Sequence, residues 1–175
     1  MISEKMTSAL NLQLNKEFYS AYLYLGMSTW CMQAGYNGSA TWFMMQYEEE
    51  RLHALKLYNY MLNQSAKINL LPIEHPEMDY PLLLACFEDS LHHEQSMTRS
   101  FNELCDLAIQ EKDHTSYAFF QWFLQEQIME EANLTDIINK LKLVGDGNGI
   151  FIIDSQLGNR PSNNQSSSNN ANSPM

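Results

Sequence analysis

Apolar side chains recur every three to four positions along four long stretches of the chain, and the period-two alternation of strands is scarce. The spacing predicts a first helix over about 3–34, closed by Gly35 as a C-cap. A second is expected over 39–65, with Ser39, just after Asn37-Gly38, placed as its N-cap. Pro72, Pro76 and Pro81 interrupt the next stretch, which has no usable period. A third helix is expected over 81–112 with Pro81 in its first turn. A fourth is expected over 115–144, capped by Thr115 and ending before Gly145, Gly147 and Gly149. Residues 150–157 suit a short fifth helix. From Asn159 onward Asn and Ser dominate and aromatic residues are missing. Such a segment cannot bury enough apolar surface to offset chain entropy. The expected division is therefore one folded domain over 1–158 and a disordered tail over 159–175.

Connection lengths turn these helices into a topology. The junctions at 35–38 and 113–114 are short, so each joins antiparallel neighbours. The 66–80 connection, fully extended, spans roughly 50 Å. A helix of the second segment's size is about 40 Å long. The connection can thus run the length of the bundle and set the second and third helices parallel. The expected fold is all-α: a four-helix bundle in up, down, down, up order with one long crossover and a short fifth helix at its C-terminal end.

A chain of 175 residues with 45% hydrophobic content has ample material for one core. Its 21 acidic residues against 10 Lys plus Arg leave a formal net charge of −11. That balance disfavours nucleic acid and anionic membrane surfaces as partners and favours cations. Cys31, Cys86 and Cys105 are widely spaced, with no C-x-x-C pair, and fit a reducing cytoplasm better than a disulfide framework or a zinc site. The first fourteen residues do not read as a signal peptide, and no stretch approaches the roughly 18 apolar residues of a membrane span.

Candidate chemistry emerges when the helix faces are read. Side chains three, four and seven positions apart share a face. Around Glu17 that face holds Leu10, Leu14, Ala21 and Tyr24; around Glu50 it holds Phe43, Tyr47, His53, Ala54 and Leu57. Glu94 stands among Phe87, Leu91, Met97 and Phe101. Gln127 and Glu130 stand among Phe120, Phe123, Leu124, Leu134 and Ile137. A lone Glu on such a stripe commonly sits at its edge and reaches water. One on each of four helices is a different matter, because an ionised carboxylate in a core costs several kcal/mol unless compensated. Lys16, Arg51 and Arg99 flank these faces without sharing them, so a bound cation is the economical counter-charge. Glu50-Arg51-Leu52-His53 is a Glu-x-x-His that lets two ligands reach one metal from a single helical turn. Mixed carboxylate and imidazole donors without thiolate suit iron better than calcium, magnesium or structural zinc. A bridging carboxylate, most simply Glu50, would hold two irons close enough to share dioxygen.

The segments Leu14-Asn15-Lys16-Glu17-Phe18-Tyr19-Ser20, 48–53, His93-Glu94-Gln95 and Gln121-Trp122-Phe123-Leu124-Gln125-Glu126-Gln127 resemble bacterial non-haem ferritins, and with the helix spacing the resemblance extends over roughly 2–158. In ferritin-like bundles inward Glu residues and Glu-x-x-His pairs ligate paired metals. The resemblance implies an iron-storage protein with ferroxidase activity, an oxidoreductase that oxidises Fe(II) with dioxygen at a di-iron centre. It implies that Glu17, Glu50 and His53 bind the first iron and that Glu50, Glu94 and Glu130 bind the second. Gln127 would stand beside the centre. Tyr24 would lie just beyond the metals, hydrogen-bonded near them and able to give an electron, with Trp122 as its redox neighbour.

A third iron site in the family corresponds to Glu49, Glu126 and Glu130, and Met129 stands where relatives commonly carry an acid. Haem is not expected, since Gln127-x-x-Glu130 replaces a second Glu-x-x-His and Arg51 and Leu52 flank the place of a haem-binding Met. The resemblance further implies a cytoplasmic homo-oligomer, a hollow shell of 24 subunits that stores ferric oxide and binds neither nucleic acid nor membrane. His92 and His93 are expected at the surface, His75 in the crossover and His114 at a turn, none of them catalytic.

Overall fold

The computed structural model describes residues 1–145 and 147–159. All but the first residue of the expected tail lies outside the described residues. Five helices follow in order: α1 (Glu4–Ala34), α2 (Asn37–Asn63), α3 (Leu83–Gln110), α4 (His114–Val144) and α5 (Gly149–Leu157). Among the described residues there is no strand, and no helix is long and apolar enough to cross a membrane.

Long-range hydrogen bonds fix the directions. Ser28 Oγ donates to the carbonyl of Ala40 where α1 ends and α2 begins, and Met6 and Met61 share a core cluster at the opposite end. Ser3 Oγ donates to Glu111 Oε2, joining the start of α1 to the residue just after α3. Tyr60 and Ser116 join the end of α2 to the start of α4 at 2.7 Å. Lys142 at the end of α4 pairs with Glu88 near the start of α3 at 2.7 Å. α1 and α4 therefore run one way and α2 and α3 the other, the expected up, down, down, up order.

The crossover lies along α1. Asn11 Nδ2 donates to the carbonyl of Lys67 while its Oδ1 accepts from the backbone N–H of Asn69. One turn further on, Asn15 Nδ2 donates to the carbonyls of Leu71 and Pro72. These side chains satisfy backbone groups of a segment that has no ladder of its own.

Helix ends differ from expectation in instructive ways. Ser3 caps α1 by accepting from the N–H of Met6, and Gly35 closes it with φ 88°. α2 begins at Asn37, ahead of Ser39. The reason is a long-range cap: Asp154 of α5 accepts from the N–H groups of Gly38 and Ser39 and from Ser39 Oγ. α2 ends at Asn63 and not at 65, where Ser65 takes φ 56°. α3 starts at Leu83, after an extended Leu82, so Pro81 lies outside the helix, and it stops at Gln110, before Lys112 with φ 57°. Asp113, not Thr115, caps α4 by accepting from the N–H of Ser116. α5 begins one residue earlier than expected, at Gly149.

The core is divided in two. One cluster holds Tyr24, Met27, Trp42, Phe43, Phe87, Leu134 and Ile138. The other holds Leu10, Leu14, Leu57, Phe101, Phe120 and Phe123. Along every long helix the inward Glu residues fall between the two groups.

The α5 latch generates a test. A Cβ added at Gly38 would lie 1.7 Å from the Asp154 carbonyl oxygen, so Gly38→Ala must push α5 away. Asp154→Ala removes a charged acceptor from two backbone donors and a hydroxyl, an expected loss of about 3 kcal/mol. Calorimetry should show both variants melting below the parent. A wild-type transition in either would contradict the latch.

Candidate metal centre

The carboxylates that the stripes predicted are buried together. Glu17, Glu50, Glu94 and Glu130 are 1%, 2%, 1% and 5% exposed, and Gln127 and His53 are buried with them. Glu17, Glu50 and His53 each offer a donor atom, and these atoms lie within 4.8 Å of one another. His53 Nδ1 stands 3.4 Å from Glu50 Oε2 and 3.9 Å from Glu17 Oε2. Its ring is held edge-on by Trp122 and Phe123, with centroids 5.3 and 5.9 Å away. The basic side chains stay outside, as expected: Arg51 pairs with Glu48, and Lys16 hydrogen-bonds Ser100.

Neutral amides hold three of the four carboxylates. Gln13 Nε2 donates to Glu17 Oε1 at 2.9 Å, Gln46 Nε2 to Glu130 Oε2 at 2.9 Å, and Gln127 Nε2 to Glu94 Oε2 at 2.8 Å. Tyr24 donates its phenolic proton to the other oxygen of Glu94. Glu50 differs. Its Oε1 is buried with no hydrogen-bond partner among the described residues. Such an orphaned acceptor is costly in a protein interior, and a cation is the partner its chemistry fits.

Electrostatics agree. Burial, then the charges of Glu94 and Glu130, push the Glu50 carboxyl well above its ordinary range. Burial and Glu50 do the same to Glu17. Tyr24 is held protonated well above 10, by burial and by Glu94.

Several residues fall elsewhere than expected. His93 is half-buried and not fully at the surface: its Nε2 meets Ser20 Oγ at 2.7 Å, its ring stands edge-on to Tyr24, and burial lowers its pKa. His92 is exposed, as are His75 in the crossover and His114 at the start of α4. Trp122 packs on His53 and Phe123 beneath Lys56 Nζ, 3.7 Å from its ring centre, whereas Tyr24 stacks on Phe43. Glu49 and Glu126 are half-buried, and Met129 is 60% exposed. Gln13 and Gln46 went unnoticed in the sequence. The available signal was position, since each lies four residues before an inward Glu on the same helix.

This bundle, crossed by buried carboxylates with one Glu-x-x-His, defines a ferritin-like protein. Residues 7–144 match the Ferritin family, described as a ferritin-like domain, and the chain belongs to that family. It is 38% identical over 161 residues to a bacterial non-heme ferritin of Staphylococcus aureus strain MRSA252, covering 91% of this chain and 97% of the relative. A bacterial non-heme ferritin of Campylobacter jejuni is 37% identical over 160 residues, covering 91% and 96%. An open pore ferritin from the hyperthermophilic archaeon Archaeoglobus fulgidus superposes with a TM-score of 0.90 at 39% identity, covering 92% of this chain and 99% of that one. An engineered closed form of the same archaeal ferritin gives 0.90 at 40%, with 92% and 99% covered.

The raised carboxyl values set a pH dependence. A carboxyl whose folded pKa exceeds its unfolded one favours the fold while protonated. Stability is thus complete below the ordinary value of 4.5 and is lost as pH rises through the raised folded values, by at most about 1.4 kcal/mol per pH unit per group. The metal-free protein should therefore lose melting temperature relative to Glu50→Gln as pH is raised from about 5 to 8. A constant gap between the two melting curves across that range would be the contrary result.

Proposed function

We propose that the protein is an iron-storage subunit with ferroxidase activity, oxidising Fe(II) with dioxygen and storing the ferric product as hydrated oxide inside a hollow homo-oligomeric shell of 24 subunits in the cytoplasm. The observation that carries this reading is the buried, unpartnered Oε1 of Glu50, set among three other inward carboxylates and His53 in a chain of the ferritin family. The folded unit is residues 1–158, with 159–175 as an appended tail.

In this reading Glu17, Glu50 and His53 hold one Fe(II), and Glu50, Glu94 and Glu130 hold its neighbour, with Glu50 shared. Carboxylate and imidazole donors suit iron in both oxidation states, and electrons pass from the paired Fe(II) to dioxygen. Gln127 fixes the carboxylate of Glu94 from one side and Tyr24 fixes it from the other. The Tyr24 phenol stays protonated and lies close enough to the centre to serve as an electron donor. Trp122 and Phe123 lock the His53 ring and shield it from water. A third site at Glu49, Glu126 and Glu130 is weak, because Met129 supplies a thioether, if anything, where a hard cation requires oxygen, and its side chain is largely exposed.

Glu50→Ala tests this assignment. It should cut the fast aerobic oxidation of Fe(II), followed by stopped-flow absorbance, by at least roughly 100-fold, more than losing an outer partner of a ligand costs. The fold should persist, since removing an uncompensated buried carboxylate relieves a desolvation penalty. Wild-type rates in a folded variant would overturn the assignment.

A further inference from the structure

A line of hydrogen bonds joins the outer surface to one oxygen of Glu17. Lys16 Nζ donates to Ser100 Oγ at 2.7 Å, Ser100 Oγ donates to Gln13 Oε1 at 2.6 Å, and Gln13 Nε2 donates to Glu17 Oε1 at 2.9 Å. Lys16 is exposed, whereas Gln13 and Glu17 are each 1% exposed.

The chemistry allows this line only one polarity. An ammonium group donates and never accepts, so Ser100 Oγ accepts from Lys16 and has a single proton to give. That proton goes to Gln13, whose facing atom must be its carbonyl oxygen. The Gln13 amide nitrogen is thereby turned toward Glu17, whose ionised, metal-binding form needs a donor as well. Both ends require the same orientation of Gln13.

The consequence falls on Glu17. Its Oε1 is committed to Gln13, while its Oε2 faces His53 Nδ1 at 3.9 Å. A carboxylate left to rotate could offer a cation either oxygen or both, and one tied in this way is held with Oε2 toward His53 and Oε1 toward Gln13. We propose that Lys16, Ser100 and Gln13 form a positioning chain that reserves Oε1 of Glu17, so that Glu17 presents a single oxygen to a metal ion shared with Glu50 and His53. This rests on the metal-site reading above. It adds that the affinity and geometry of that position are set from outside the ligand cluster, between α1 and α3. Outer partners that orient ligands commonly change metal affinity by about 10- to 100-fold when removed.

Ser100 makes the idea testable without disturbing any ligand. It lines a surface pocket of about 330 Å³ together with Lys5, Gln13, Lys16 and Glu103, so the extra methyl of Ser100→Thr has room while the hydroxyl is kept. The experiment is anaerobic Co(II) titration of the assembled protein, read by its visible absorption, on the unmodified chain and on Ser100→Ala, Ser100→Thr and Gln13→Leu. Melting temperatures recorded alongside identify the folded variants. Ser100→Ala and Gln13→Leu should weaken Co(II) binding by about 10- to 100-fold and alter the absorption bands, and Ser100→Thr should restore both. In aerobic Fe(II) oxidation the same loss should raise the half-saturating concentration more than it lowers the maximal rate. Tight binding with unchanged spectra in Ser100→Ala and Gln13→Leu overturns the positioning chain and leaves the metal-site reading standing. A Ser100→Thr protein as weak as Ser100→Ala also overturns it, because the hydroxyl would not be the active element. No Co(II) binding by the unmodified protein removes the metal site and this proposal together.

Discussion

Glu17, Glu50, Glu94 and Glu130 occupy the interior, while Lys16 and Arg51, the basic side chains beside them in sequence, turn to Ser100 and Glu48. Each buried ionised carboxylate carries a penalty of several kcal/mol. Four together approach or exceed the 5–15 kcal/mol by which a domain is ordinarily stable. Protonating part of this set relieves the metal-free fold, the direction in which burial and neighbouring charges push Glu17 and Glu50. A cation changes the balance, because it supplies the missing charge and a partner for Glu50 Oε1 at once. The same arrangement that weakens the empty protein would favour binding a metal ion.

The surrounding structure confines that tension. Two aromatic-rich clusters lie on either side of the carboxylates along the helices, and rigid packing prevents the side chains from turning to water. Gln13, Gln46 and Gln127 each tie one oxygen of a different carboxylate and add no charge. Tyr24 ties Glu94 a second time. Among the described residues Glu50 receives no such amide, which is consistent with a residue whose oxygens serve two metals. Farther out, Asn11 and Asn15 seat the crossover against α1, and Asp154 fastens α5 to the start of α2. These contacts fix helix ends and hence the level at which the inward residues meet.

The carboxylates were legible in the sequence because a charge on an apolar stripe violates the helical pattern, and four violations at matching depth point to one site. Gln13 and Gln46 were not, since a neutral amide on the same stripe breaks no rule as strongly; only their spacing from Glu17 and Glu50 marks them. His93, one position before Glu94, was expected at the surface because it points away from the Glu94 stripe, whereas α1 covers part of that side and brings Ser20 and Tyr24 against the ring. Ser39 was misread as a cap because the true cap, Asp154, lies over a hundred positions away in sequence. Local signals place helices well. They place the ends of helices poorly when the partner comes from elsewhere in the fold.

The central claim is that Glu50 stands between two metal positions. Anomalous scattering at the iron edge from a crystal soaked anaerobically in Fe(II) tests it most directly. The account predicts two strong peaks on opposite sides of Glu50, one bounded by Glu17 and His53 and the other by Glu94 and Glu130, with weaker density beside Glu49 and Glu126. A single peak, or iron only at surface carboxylates with none touching Glu50, would contradict it.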